Sequence, residues 1–249
     1  MPKKPKFCMI TNQRSGSTWM TRLLDNHPQI RMLKGDPLYV HSGYYDDNLP
    51  RYCDYKKEHN AFRPWALFNY LALFENYESE FHDILGYKVM YNHIKHNPEF
   101  LLKLLTDNYR VIHLARRNHL DLMISRAVGK QYDVFHIKKS SKEKRPVSLD
   151  TSSLIQSFDF QERAYQYAKL FLKLAPIKSL EVHYESLLTD KENILRSIGN
   201  FLGVDSNPSL FQSELKKVNA GSYEEKIINY EQVAETIENS KYAHLLANY

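Results

Sequence analysis

Cysteine and long apolar runs are both scarce in this sequence. Cys8 and Cys53 are the only cysteines among 249 residues, so the chain has neither a disulfide framework nor a CxxC metal-binding pair. Only a short apolar run follows the basic N-terminus, whereas a signal peptide requires a longer one. No run approaches the about 20 apolar residues that cross a membrane. We therefore expect a cytoplasmic protein without a membrane span, in which Cys8 is a buried packing residue.

The composition also lacks a strong bias. Hydrophobic residues make up 43% and charged residues 25% of the chain, which is typical of a globular protein. The length fits a single domain over residues 1–249, with a core from about 6 to 203 and a helical tail from about 204 to 249. The net charge of +5 favours anionic partners. Because no long basic stripe is interleaved with aromatic residues, we do not expect nucleic acid to be among them.

Strand-like and helix-like segments alternate along the chain. The apolar pattern predicts strands over 6–10, 86–91, 109–115 and 178–184. It predicts helices over 61–77, 98–106, 118–128, 158–174 and 191–202, and again from Tyr230. Residues 40–60 and 133–150 are predicted to be irregular. This alternation indicates an α/β fold with a central parallel β-sheet flanked by helices, in which ligands bind at the carboxyl ends of the strands.

The segment between the first strand and the first helix is rich in hydrogen-bond donors. It contains Arg14, Ser15, Gly16, Ser17 and Thr18, followed by Trp19. A tight turn into a helix presents free backbone N–H groups, and the helix dipole favours an anion there. The hydroxyl groups and the guanidinium add donors suited to oxyanions. The segment therefore predicts a phosphate-binding loop, and the alternative is a helix start that Ser15 and Ser17 merely cap.

A similar combination follows the strand predicted to end at Ala115. Arg116 and Arg117 come directly after it, and Ser125 lies two helical turns further on, so it can share a face with the helix start. An arginine and a hydroxyl group suit a second phosphate. The alternative is an exposed arginine pair and an ordinary serine within a helix.

The run Gln13-Arg14-Ser15-Gly16-Ser17-Thr18-Trp19 resembles the loop that binds the 5′-phosphosulfate in sulfotransferases dependent on 3′-phosphoadenosine-5′-phosphosulfate (PAPS). The family binds the 3′-phosphate of PAPS with an Arg-Asn or Arg-Asp pair and a Ser eight residues beyond the Arg. Arg117-Asn118 and Ser125 fit that spacing, and Arg116 could share the role. The resemblance implies a P-loop-like sulfotransferase fold.

Two weaker parts of the resemblance lie nearer the C-terminus. Val182 to Leu188 resembles the family's Tyr-Glu-Asp-Leu segment, in which the Tyr lies by the adenine in several relatives, so Tyr184 is a cofactor candidate. The alternative is a tyrosine packed at the end of a strand. Lys217 could reach the 3′-phosphate from a loop, although the Arg-Lys-Gly signature of the cytosolic animal enzymes is absent. The resemblance spans residues 6 to about 203, with a fainter echo to 231.

The resemblance implies transfer of a sulfuryl group from PAPS to a hydroxyl group, or to an amine, with release of 3′-phosphoadenosine-5′-phosphate (PAP). Arg14 would hold the 5′-phosphosulfate, and Lys88 could add charge at the bridging oxygen. The general base is left open between two residues. Cytosolic animal enzymes use a His two residues after the strand-end Lys, but Val89 and Met90 follow Lys88 here. Asp36 lies about where some relatives have a carboxylate base, and His93 is the second candidate.

We expect no metal, since His93 and His96 are three residues apart without an evident third ligand. The acceptor is a small molecule, a carbohydrate or a lipid, and the sequence does not choose among them. Two rival functions are considered. A P-loop nucleotide kinase would explain the first phosphate motif, although Ser17 stands where a Walker A loop has Lys. A catalytically inactive PAP-binding module would keep both phosphate motifs and transfer nothing.

Overall fold

The protein has an α/β fold built on one five-stranded sheet, in a computed structural model. The structure describes residues 5–33, 35–38, 50, 52–59, 62, 65–77, 83–132, 146–213 and 221–247. All strands of the sheet are parallel, in the order β2-β3-β1-β4-β5. They are β1 (Lys6–Thr11), β2 (Ile30–Met32), β3 (Ile84–Met90), β4 (Arg110–Ala115) and β5 (Lys178–His183). The predicted fold class is confirmed.

Helices follow or connect the strands. They are α1 (Ser17–Asp25), α2 (Tyr52–His59), α3 (Trp65–Tyr77), α4 (Tyr91–His96), α5 (Glu99–Thr106), α6 (His119–Tyr132), α7 (Thr151–Leu174), α8 (Tyr184–Thr189), α9 (Lys191–Leu202), α10 (Tyr223–Lys226) and α11 (Tyr230–Glu238). Within the described ranges, none of these helices is long and apolar enough to cross a membrane.

Several predicted boundaries were wrong, among them the following three. Residues 40–60 are not irregular throughout, because α2 occupies 52–59, and the rings of Tyr52 and Tyr55 pack against Tyr70 with centroids 5.1 and 5.6 Å away. The strand predicted to reach Tyr91 ends at Met90, where α4 begins. The long helix begins at residue 151, because the Asp150 carboxylate accepts hydrogen bonds from the backbone N–H and the hydroxyl group of Ser152, as in a helix N-cap.

The sheet is covered on both faces. Alternate residues of a strand point to opposite faces, and in β1 Cys8 and Ile10 join one buried apolar cluster while Phe7 and Met9 join another. Strands that are buried on both faces read as continuous apolar runs, which is why β1 and β4 are recognisable in the sequence.

The chain divides into two compact units. The first comprises Met1–Ala115 and Ala168–Ser213 and holds the whole sheet. The second comprises Arg116–Tyr167 and Glu214–Tyr249. Its own apolar cluster includes Leu120, Phe158 and Val233, all fully buried.

Charged residues at the amino end of β1 form a buried network in the first unit. Lys6 Nζ lies 2.6 Å from Glu75 Oε2 and 3.2 Å from Asp107 Oδ2, and Lys103 Nζ lies 2.6 Å from the same Asp107 oxygen. Tyr109 donates a hydrogen bond to Glu75. Each charge in this network has an opposite partner, so its role is structural, and the candidate functional residues lie towards the other end of the strands.

Candidate active site

The loop between β1 and α1 has the backbone geometry of an anion-binding turn. Thr11 ends β1 and donates from Oγ1 to the carbonyl oxygen of Leu114, 2.8 Å away, which fixes the strand end to β4. Arg14 and Gly16 then adopt positive φ angles of 66° and 80°. The backbone N–H of Met20 donates to the carbonyl oxygen of Gly16 at 3.0 Å and closes the first turn of α1.

Two features of the loop suit a bound anion: the N-terminus of α1 and the hydroxyl group of Ser15. No side-chain hydrogen bond caps the N-terminus of α1. The hydroxyl group of Ser15 is fully buried and has no hydrogen-bond partner among the described residues. A buried hydroxyl group without a partner is costly, and an oxyanion in the loop would accept its hydrogen bond. These two observations contradict a helix start that Ser15 and Ser17 merely cap, and they fit a phosphate group in this loop.

Tyr184 packs directly against this loop. A Cβ atom at position 16 would lie 2.4 Å from Cδ2 of the Tyr184 ring, so the ring rests on the Cα of Gly16. The same ring meets Trp19 edge to face, with centroids 6.1 Å apart. Tyr184 is the first residue of α8, which the sequence did not predict, and it is buried. Only glycine fits position 16, both for its φ angle and for this contact.

Asp36 and Lys88 form an ion pair in the first unit. Lys88 Nζ lies 3.9 Å from Asp36 Oδ2, with both side chains largely buried. Asp36 Oδ1 is buried and has no hydrogen-bond partner among the described residues. Burial raises the pKa of Asp36 to about 6, and the Lys88 charge opposes this rise. The carboxylate is therefore ionised at neutral pH and has one oxygen able to accept a hydrogen bond.

His93 lies on α4, just after β3, and it too responds to Lys88. Burial, together with the charges of Lys88 and His96, lowers the pKa of His93 to about 4. The structure thus brings the two candidate bases, Asp36 and His93, within the electrostatic reach of one lysine. A general base works best when its pKa lies near the working pH, and this favours Asp36 over His93.

The arginine segment belongs to the second unit. Arg116 Nη2 donates to Asp121 Oδ2 at 2.8 Å. Asn118 Oδ1 accepts from the backbone N–H of Asp121, 2.8 Å away, and its amide nitrogen donates to the Tyr223 hydroxyl group at 2.8 Å. Asn118 thereby caps α6, which explains why an Asn follows the arginines.

Arg117 is exposed and precedes this cap, whereas Ser125 lies partly buried in α6. The fourth candidate for the 3′-phosphate, Lys217, lies outside the described residues, as does most of the basic segment 133–150. Among the described residues, no group of three or more His, Cys, Asp or Glu side chains is placed to hold a metal ion.

The sequence analysis missed a polar cluster in the first unit. The Tyr91 hydroxyl group lies 2.6 Å from Nε2 of His113, which is buried in β4. Glu181 is the register partner of His113 on β5, and its Oε1 lies 2.9 Å from Nε2 of His183. Burial lowers the pKa of His113 to about 4, although the Glu181 charge opposes this. His113 within the otherwise apolar interior of β4 was the available signal, but only the register reveals that Glu181 lies beside it.

A comparison with family models identifies the family of the chain. The model of the Sulfotransferase family matches residues 5–208, and the chain belongs to that family. No curated protein matches the chain by sequence.

Solved structures of sulfotransferases share the fold. The sulfotransferase domain from the curacin biosynthetic pathway is 15% identical with a TM-score of 0.54, covering 89% of this chain and 82% of that domain. The sulfotransferase from Alicyclobacillus acidocaldarius is 14% identical, with a TM-score of 0.51 and coverage of 84% and 86%. Sulfotransferase STF9 from Mycobacterium avium is 12% identical, with a TM-score of 0.53 and coverage of 95% and 76%. The predicted sulfotransferase fold is confirmed.

Proposed function

We propose that the protein transfers a sulfuryl group from PAPS to a hydroxyl group of a small-molecule, carbohydrate or lipid acceptor and releases PAP, with an amine as the other acceptor type. The observation that carries this proposal is the buried Asp36–Lys88 pair in a member of the Sulfotransferase family. Sulfuryl transfer requires a base for the acceptor proton and a cation for the leaving phosphate, and this pair supplies both.

Both phosphate motifs have proposed roles in donor binding. We assign the 5′-phosphosulfate to Arg14 and to the N–H and hydroxyl groups of the segment from Ser15 to Trp19, which includes Gly16, Ser17 and Thr18. The uncapped α1 and the buried hydroxyl group of Ser15 support this assignment. We assign the 3′-phosphate to Arg117 and Ser125, with Lys217 as a further candidate. Arg116 already pairs with Asp121, so its role is to hold the segment.

Tyr184 has a proposed role on the first of these motifs. Its ring rests on Gly16 and meets Trp19, so it keeps the loop in its positive-φ conformation. We also keep Tyr184 as a candidate for the adenine side of the donor, because it lies beside the loop assigned to the 5′-phosphosulfate.

The chemical step uses the ion pair. Asp36 takes the proton from the acceptor hydroxyl group while the acceptor oxygen forms its bond to sulfur. The bond from sulfur to the bridging oxygen breaks, and that oxygen stays on the phosphate of PAP. Lys88 offsets the negative charge that develops there. In-line transfer of this kind depends mainly on positioning and on charge stabilisation rather than on covalent chemistry by the protein.

An assay of PAP release tests this function. We expect radiolabelled PAPS and a panel of hydroxyl and amine acceptors to give PAP and labelled product with the wild-type chain, and nothing above background with Lys88→Met. Tight PAP binding without transfer to any acceptor would instead identify an inactive binding module. Matched amounts of folded protein, checked by circular dichroism, keep loss of activity distinct from loss of structure.

A further inference from the structure

Helix α7 carries apolar residues on two faces. One face is buried and includes Leu154, Phe158 and Leu172. The other face is open to solvent, with Phe160 58%, Tyr167 72%, Leu170 52% and Leu174 74% exposed. A surface helix ordinarily keeps one apolar stripe towards its core and polar residues on the opposite side. The second stripe is therefore unusual and needs an explanation.

The exposed residues have the spacing of a helix-pairing seam. Phe160, Arg163, Tyr167, Leu170 and Leu174 follow one another at alternating intervals of three and four residues, which is the repeat that keeps one stripe facing a partner helix. The stripe runs for about 21 Å along α7 at about 1.5 Å per residue. Scattered exposed apolar residues are normal, but a continuous seam of this length marks an interaction surface.

We propose that this surface, the α7 seam (Phe160, Arg163, Tyr167, Leu170 and Leu174), pairs with the α7 seam of a second copy in antiparallel orientation. Charge along the flank of the seam indicates the occupant. Asp159 lies seven residues before Gln166, and Lys173 lies seven residues after it. A two-fold axis between Tyr165 and Gln166 would set Asp159 of each copy opposite Lys173 of the other to within one residue.

Asp159 is held in a position that suits an ion pair with Lys173 of the second copy. Its Oδ1 accepts from the Tyr242 hydroxyl group at 2.8 Å and lies 2.7 Å from Lys241 Nζ. Its Oδ2 has no contact among the described residues, and the side chain is partly exposed. The carboxylate is thus held in place with one oxygen directed to a further donor.

The same orientation also matches the seam itself. The axis between Tyr165 and Gln166 sets Phe160 of one copy opposite Leu170 of the other to within one residue, so that apolar side chains meet. It also sets Arg163 beside Tyr167 of the other copy, where a guanidinium over an aromatic ring is favourable. A parallel pair would instead place Arg163 against Arg163 and Asp159 against Asp159, and both contacts are repulsive.

Sedimentation equilibrium on the full-length chain tests the surface. We expect a dimer for the wild type and a dissociation constant at least about tenfold higher after Leu170→Glu, because an unpaired carboxylate would enter an apolar seam. The matched control is Leu102→Glu on α5, where the side chain is 51% exposed; this variant should remain dimeric. Leu174→Ser serves as the second seam variant if Leu170→Glu fails to fold, as judged by its melting curve.

Disulfide trapping tests the orientation. Chains carrying Phe160→Cys mixed with chains carrying Leu170→Cys should form a mixed disulfide. Leu174→Cys chains should cross-link to themselves poorly, because Leu174 lies far from the two-fold axis. A wild-type monomer at high micromolar concentration would overturn the proposal, and so would a dimer indifferent to Leu170→Glu. Efficient self-linking of Leu174→Cys without the mixed disulfide would overturn the antiparallel orientation.

Discussion

Asp36→Asn is expected to lower kcat by at least about a hundredfold while PAP still binds, since a positioned general base contributes roughly 10²–10⁴-fold. The amide has nearly the shape of the carboxylate but cannot take the acceptor proton. It also leaves Lys88 in place, so the donor side of the site keeps its charge. Steady-state kinetics together with PAP titration separates the two effects.

The pH dependence identifies the base. Because the pKa of Asp36 is raised to about 6, kcat/KM should fall as the pH decreases through 6. If His93 were the base, its pKa of about 4 would move the decrease in kcat/KM to a pH about two units lower. The paired variant is His93→Ala, which should keep most of the activity. Full activity in Asp36→Asn would contradict the assignment, and loss only in His93→Ala would transfer the role to His93.

Stability gives an independent readout of the same residue. In the unfolded chain Asp36 loses its proton near pH 4, whereas in the folded chain it keeps the proton up to about pH 6. Between these values the folded state binds more protons, so the free energy of unfolding falls as the pH rises. Asp36→Asn removes the cost of burying an ionised carboxylate. We therefore expect its free energy of unfolding to exceed that of the wild type by up to about 3 kcal/mol at pH 7. Chemical denaturation at pH 4 and pH 7 measures it.

Gly16→Ala should abolish PAP binding, because the loop can no longer keep its present backbone conformation. A left-handed φ costs a residue with a Cβ atom about 1–2 kcal/mol, and here the Cβ would also lie 2.4 Å from the Tyr184 ring. That ring is buried and cannot retreat freely. The loop must therefore move, and its N–H groups no longer point at one anion. Calorimetric titration with PAP measures the loss.

Gly203→Ala is the matched control for Gly16→Ala. Gly203 has a φ of 74°, close to that of Gly16, but a Cβ there meets only the end of the flexible Arg110 side chain at 3.1 Å. The two variants carry similar backbone strain. A loss of PAP affinity in Gly16→Ala that Gly203→Ala does not show is therefore not a general effect of that strain. The double variant Gly16→Ala, Tyr184→Ala should regain part of the affinity. Unchanged PAP binding in Gly16→Ala would show that the loop does not hold the donor.

The parts of the fold that the sequence predicts are those determined by local pattern. Strands β1 and β4 are largely apolar runs of strand length, and α9 ends at a glycine in the left-handed conformation. The three-residue β2 is too short to show a period. Helix α2 forms from aromatic packing across the chain, through Tyr52 and Tyr70, rather than from its own pattern. Such tertiary effects leave no local signal.

The candidate site likewise contains a part that the sequence predicts and a part that only the folded structure shows. The phosphate loop is contiguous in sequence, so its residue types and order suffice to predict it. The contact between Lys88 and Asp36 joins residues about fifty positions apart, and the ring of Tyr184 reaches Gly16 across much of the chain. Only the folded structure shows that burial raises the pKa of Asp36 and lowers that of His93. The sequence alone therefore left the base undecided.

The most direct test of the central claim is isothermal titration calorimetry with PAP, adenosine 5′-phosphate and ATP–Mg²⁺. We expect PAP to bind much more tightly than adenosine 5′-phosphate, and Arg117→Ala to weaken PAP binding roughly 10- to 100-fold, since hydrogen bonds to charged groups contribute about 1.5–3 kcal/mol. Arg196→Ala, an exposed arginine on α9, should have no effect. Equal affinity for PAP and adenosine 5′-phosphate, with tight binding of ATP–Mg²⁺, would contradict the account and favour a nucleotide kinase.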